Sequence, residues 1–133
     1  MEGSVARSVV AVLAGLVFIF VTHLGTDEVL QVAGVFPPLT QPMNDPALNL
    51  IALGYRIFFS VLGCALTARL APRAPFAHAE MLGIIGTVLS ALGLYAATTS
   101  NLGPLWYPLA LMVSSIPCGW AGGWLYLRSS KTA

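Results

Sequence analysis

The sequence predicts an all-α membrane protein: an antiparallel bundle of four transmembrane helices with both termini in the cytoplasm. Three observations carry this expectation. Of 133 residues, 57% are hydrophobic and 8% are charged, whereas a soluble domain charges about a quarter of its residues. Four apolar runs, at about 8–26, 47–70, 81–99 and 104–127, each approach or exceed the roughly 20 residues that carry a helix across a bilayer. Arg7, Arg69, Arg73, Arg128 and Lys131 all fall on one side of this four-run arrangement, while Asp27, Glu28 and Asp45 fall on the other. Basic flanks stay cytoplasmic, so the outer loop at 28–46 and the loop after the third run face outward. The runs use most of the chain, which leaves a single domain, 1–133.

The first run begins like a signal peptide, with Arg7 followed by Ser8 and an apolar stretch. No small-residue cleavage site follows and three more runs do, so it reads as an uncleaved span. The outer loop contains four prolines, Pro37, Pro38, Pro42 and Pro46, which oppose a regular helix. Phe36, Leu39 and Met43 suit a loop lying against the membrane or over the bundle, as a lid or as an inert connector. Between the second and third runs, Ala71-Pro72-Arg73-Ala74-Pro75 forms a tight turn, and His78 or Glu80 is expected to cap the helix that follows. From Met81 to Leu127 there is no charge. The polar turn residues from Thr98 to Asn101, with Gly103 and Pro104, nevertheless divide this stretch into two helices. Trp106 and Tyr107 mark the outer end of the fourth run, and Trp120, Trp124 and Tyr126 its inner end, as interfacial aromatic belts do.

Small residues define the helix faces. Lipid does not drive helices together, so close backbone approach has to. In the third run Ala79, Gly83, Gly86, Ser90, Gly93 and Ala97 recur at spacings of four and three, which predicts a helix packed tightly along its whole length. The first run carries a similar stripe in Ser8, Ala11, Gly15, Thr22 and Gly25. The fourth carries Ser115, Gly119, Gly122 and Gly123, with Pro117 able to kink it because Val113 loses its donor. In the second run Asn49, Ala52, Arg56, Ser60, Gly63 and Thr67 share one face.

Arg56 is the only charge away from the ends of these runs, and a charge at that depth needs a partner, a wet cavity or a function. Its place on the small-residue stripe turns it toward the bundle. His23, Asp27 and Glu28, at the outer end of the first run, match its depth and that of Tyr55 if the two helices pack antiparallel. With Asn49 they form a candidate polar binding or gating cluster. A structural clamp between Arg56 and Asp27, an anion-binding pocket and a proton-sensitive gate all fit it. On the inner side Arg69, Arg73, His78 and Glu80 suit anionic headgroups, although orientation alone already accounts for the arginines.

No catalytic set is visible. The two histidines lie at opposite faces, no Cys/His cluster has ligand spacing, and no nucleophile-elbow, zinc-protease or phosphate-loop motif occurs. Cys64 and Cys118 read as free apolar thiols. No metal or cofactor is expected. A net charge of +1 argues against nucleic acid as a partner.

The segments Gly25-Thr26-Asp27, Gly34-Val35-Phe36-Pro37-Pro38, Gln41-Pro42-Met43 and Tyr55-Arg56 resemble a group of small bacterial four-span membrane proteins. So do Thr67-Ala68-Arg69-Leu70-Ala71-Pro72 with His78-Ala79, and the stretch Gly103-Pro104-Leu105-Trp106-Tyr107-Pro108-Leu109. The resemblance covers nearly the whole chain and implies an inner-membrane bundle without adding catalytic residues. Small multidrug-resistance transporters share the size and the small-residue seams, but they use a Glu embedded in the first span, which this chain lacks.

Three functions remain open at this point. The first is a non-enzymatic binding, assembly or accessory subunit whose partners are the lipid bilayer and either a second copy or another membrane protein. The second is an oligomeric small-solute or ion transporter or channel centred on Arg56. The third, ranked lowest, is a lipid- or quinone-modifying enzyme using His23, Asp27 and Arg56.

Overall fold

The computed structural model describes residues 2–38, 40–101 and 103–132; Leu39 and Leu102 therefore lie outside the described residues. The described residues form four α-helices: α1 (Glu2–Val32), α2 (Pro46–Leu70), α3 (Pro75–Ser100) and α4 (Trp106–Thr132). Three of them are long and apolar enough to cross a membrane: Gly3–Val32, Pro46–Leu70 and Pro75–Ser100. The fourth apolar run falls short by composition although α4 has 27 residues, because tryptophans, tyrosines, prolines, serines and glycines dilute its aliphatic residues. Large side chains such as Val9, Leu13, Val17, Val21, Ile84, Val88 and Leu92 are exposed around the helices. Water disfavours so broad an apolar surface.

The helices outrun the apolar runs that announce them. α1 is 31 residues long and continues beyond the expected 8–26, so Asp27 and Glu28 stand on its last turns, not in the loop. α3 begins at Pro75 rather than near 81, with a proline at a first-turn position where no N–H is needed. Hydropathy marks the hydrocarbon-length part of a helix, and hydrogen bonding carries the helix further.

Contacts fix the arrangement. Thr67 Oγ1 donates to the Ala11 carbonyl at 2.9 Å, Gly15 meets Gly63, and His23 reaches Arg56, so α1 and α2 run antiparallel. α3 and α4 pair antiparallel most extensively, and α2 also packs on α4. α1 touches α2 and, more lightly, α3; among the described residues it makes no contact with α4. α2 is thus the central helix and α1 an outlying one. The buried core of Val12, Cys64, Ala68, Ala79 and Leu82 lies in the half nearer the termini. Both cysteines are free and buried.

Glycines make that half tight. A Cβ on Gly83 would lie 2.9 Å from the Ser115 carbonyl oxygen, and one on Gly119 would lie 2.9 Å from that of Ala79. The expectation of tight packing along all of α3 is corrected, however. Gly93 is exposed, and a Cβ added there would meet nothing within 4 Å. Among the stripe's glycines, Gly83 and Gly86 meet Ser115 of α4, whereas Gly93 faces open space.

Three local expectations also change. Neither His78 nor Glu80 caps α3: its N-cap, Ala74, has no side-chain cap bond, and His78 Nδ1 donates instead to the Ala74 carbonyl at 3.0 Å. Ala74 itself adopts φ 46° and ψ 59°, a left-handed conformation unfavourable for a residue with a Cβ. Tyr126 packs against the core instead of standing with the belt. Trp120 and Trp124 do face outward, stacked with centroids 6.5 Å apart, and Arg128 lies 5.1 Å over Trp124. α4 continues without a break through Pro117.

Candidate functional site

The residues with chemistry gather at the end of the bundle away from the termini, where α1 and α2 face each other. Seven residues separate Arg56 from Asn49, two helical turns along the buried face of α2. That face includes Asn49, Ala52, Gly63 and Thr67, all buried. Asp27 lies one turn beyond His23 on α1, so both side chains reach α2 at the depth of Tyr55 and Arg56.

Arg56 Nη2 forms an ion pair with Asp27 Oδ2, and the Tyr55 hydroxyl donates to the other carboxylate oxygen. Their side chains are only 24% and 20% exposed for Arg56 and Asp27, so neither charge relies on bulk solvent. His23 Nε2 donates to the Arg56 backbone carbonyl at 3.1 Å, with the Ser60 hydroxyl 3.4 Å away. This fixes the ring hydrogen on Nε2 and leaves Nδ1 as the acceptor. Phe36, buried in the loop between α1 and α2, stacks on Tyr55 with centroids 6.4 Å apart.

Of the cluster expected from sequence, the structure brings together Arg56, Asp27, His23 and Tyr55. Glu28 is exposed on the next position of α1 and makes no hydrogen bond or ion pair with them. Asn49 sits two turns away and has another task. Its Nδ2 donates to the Met43 carbonyl at 2.9 Å and to that of Asp45 at 3.0 Å, which pins the loop. Asp45 in turn caps α2 by accepting from Ala47 N–H. At the opposite end Arg69 and Arg73 are exposed, His78 bonds only within its own turn, and Glu80 Oε1 is buried without a hydrogen-bond partner among the described residues.

Sequence reasoning missed Tyr107 and the space it faces. The Arg56 guanidinium carbon stands 5.9 Å from the centroid of the Tyr107 ring, a cation–π distance. The two residues share a cavity of about 440 Å³, within the ~300–1,000 Å³ of ligand pockets. Its α3 wall follows the small-residue stripe through Gly83, Gly86, Ser90, Gly93 and Ala97, a length of about 21 Å at 1.5 Å per residue. Leu82, Cys64 and Cys118 close it toward the termini, while Met43, Gly103 and Pro104 close the other end. Gly103, at φ 151°, lets the α3–α4 turn approach the loop: a Cβ there would lie 2.8 Å from the Met43 carbonyl oxygen. Phe20 of α1 and Leu89 and Gly93 of α3 line the cavity and are also exposed, so it opens sideways between those two helices.

Most of the lining is apolar. Its polar hydroxyls are largely spent locally, as Ser114 and Ser115 both donate to the Leu111 carbonyl. No group of His, Cys, Asp and Glu among the described residues could hold a metal ion. The arrangement can therefore bind and orient an apolar molecule with one polar end. No protein family, curated protein or solved structure matches the chain.

Proposed function

We propose that the chain is a non-catalytic integral membrane protein that binds a membrane-dissolved small molecule between its helices. The cavity carries this reading: it is elongated along the helix axes, open sideways between α1 and α3, and polar at Arg56 and Tyr107. A ligand entering from the bilayer needs no aqueous path, and a slot parallel to the helices matches molecules already aligned with lipid tails. The proposal includes four spans, with α4 crossing beside α3, and both termini in the cytoplasm. It also places the protein in a bacterial inner membrane, on the basis of the sequence motifs and the one-sided basic residues.

The alternative, a transporter or channel, has less support in one copy of the chain. Gly15 against Gly63 and Gly83 against Gly119 bring backbones together below the cavity, and the guanidinium that would attract an anion is already paired with Asp27. Transport would require a second copy or a large rearrangement. Assembly with a second copy or another membrane protein remains compatible with the exposed outer face of α1.

Binding of N-phenyl-1-naphthylamine, a fluorophore that brightens in apolar surroundings, tests the cavity. Purified protein in a mild detergent should bind it, and Gly93→Phe, which projects a ring into open space, should abolish binding with the fold retained. Equal fluorescence titrations for both proteins would remove the cavity from consideration.

A further inference from the structure

The polar end of the cavity is selective, and its charge balance indicates for what. Among the described residues, Arg56 is the one charged residue in the lining, and Asp27, outside the lining, neutralises it. Two acceptors of the cluster are engaged: Asp27 receives Arg56 and Tyr55, and the Arg56 carbonyl receives His23. Two donors are not. Arg56 Nε and the Tyr107 hydroxyl are both buried and have no hydrogen-bond partner among the described residues. Buried donors cost free energy until they meet an acceptor, and both of these belong to residues that line the cavity.

We infer that the site takes an uncharged amphiphile whose polar end carries a carbonyl oxygen, with a single apolar tail lying along the α3 stripe. The inference rests on the cavity being a binding site. A carbonyl oxygen has two lone pairs and no hydrogen to donate, so it complements the two unpartnered donors, Arg56 Nε and the Tyr107 hydroxyl. A carboxylate or phosphate would also accept hydrogen bonds. It would, however, bring a full negative charge to a site of no net charge, or displace Asp27 from Arg56, and an unpaired charge at that depth is costly. A plain hydrocarbon would leave both donors unmet. Acyl esters and quinones both supply the required head, and they share this chemistry.

Isothermal titration of the purified protein with three probes of matched tail distinguishes them: decanoylglycerol, decylubiquinone and decanoate. We expect at least one of the two uncharged probes to bind about tenfold or more tightly than decanoate, a difference of about 1.4 kcal/mol. Preference for decanoylglycerol identifies an acyl ester as the source of the carbonyl, and preference for decylubiquinone a quinone. Tyr107→Phe, which keeps the ring and removes one donor, should weaken the preferred probe about three- to tenfold. Asp27→Asn should shift the preference toward decanoate by releasing the Arg56 charge. Decanoate binding as tightly as both uncharged probes, or unchanged affinity in Tyr107→Phe, overturns the assignment of ligand class while leaving naphthylamine binding intact. If the naphthylamine and all three probes fail to bind, the cavity reading falls and this inference with it.

Discussion

At the scale of single residues, the Arg56–Asp27 pair shows how a charge is tolerated among apolar helices. Each partner is worth little by itself, and the damage comes from removing one. Asp27→Ala leaves a guanidinium without its counter-ion, and we expect a loss of about 2–4 kcal/mol, somewhat below the value for a fully buried pair. Tyr55→Phe removes one hydrogen bond to the same carboxylate and should cost about 1 kcal/mol. The double change Arg56→Met with Asp27→Leu should be milder than Asp27→Ala, because no charge is stranded. Reversible unfolding in mixed detergent micelles ranks all three, and a double variant less stable than Asp27→Ala would contradict this account of the pair. Ala74 offers the opposite case. Its left-handed backbone strains a residue with a Cβ, so Ala74→Gly should raise stability by about 1 kcal/mol, seen as a higher midpoint in thermal unfolding. The pair was legible in sequence because antiparallel neighbours bring matched depths together and because Arg56 shares the face of Asn49, Gly63 and Thr67. Tyr107 was not legible. An aromatic near a helix end usually marks the membrane interface, and nothing local reveals that its ring turns inward to face a helix 51 positions earlier in the chain, at Arg56.

At the scale of elements, one small-residue stripe on α3 performs two tasks. Toward the termini Gly83 admits the backbone of α4, and beyond Gly86 the same spacing lines a void. Gly83→Leu and Gly93→Leu are therefore expected to differ although both exchange glycine for leucine on one helix face. The first forces side-chain atoms against the Ser115 carbonyl and the Gly119 Cα, and should lower stability by about 1–3 kcal/mol through overpacking. The second meets nothing within 4 Å and gains helix propensity, so stability should hold or rise by up to about 1 kcal/mol while naphthylamine binding is lost. Thermal unfolding and the fluorescence titration read the two effects separately. Sequence announces that small side chains recur at helical spacing, but not whether a neighbouring backbone or empty space occupies the room they leave. Helix ends escape it for a related reason. Apolar runs end where polar residues begin, whereas α1 continues through Thr26, Asp27 and Glu28, with Thr22 and Thr26 hydroxyls bonding back to the carbonyls of Phe18 and Thr22.

At the scale of the whole molecule, the four helices divide into a closed half and an open half. The buried core draws on α1, α2 and α3, with Tyr126 of α4 packed against it, and α1 attaches mainly through α2. The all-helical character was readable from composition and run length, and of the four membrane-length helices expected three are long and apolar enough to span, since both follow from what a bilayer excludes. The cavity was not readable, because it depends on how α1 and α3, which touch only lightly, are spaced around α2 and α4. The proposed topology gives a direct expectation. A phosphatase or fluorescent-protein reporter joined after Ala133 should report a cytoplasmic location, and one inserted in the loop near Gln41 should report the exterior. The neutral pairing in the upper part of the bundle has an electrical corollary. The membrane voltage does work on a moving charge at about 2.3 kcal/mol per 100 mV, and does none on a chargeless guest that settles beside a guanidinium already cancelled by a carboxylate. Occupancy would then follow the concentration of the guest in the lipid phase and ignore the energised state of the cell.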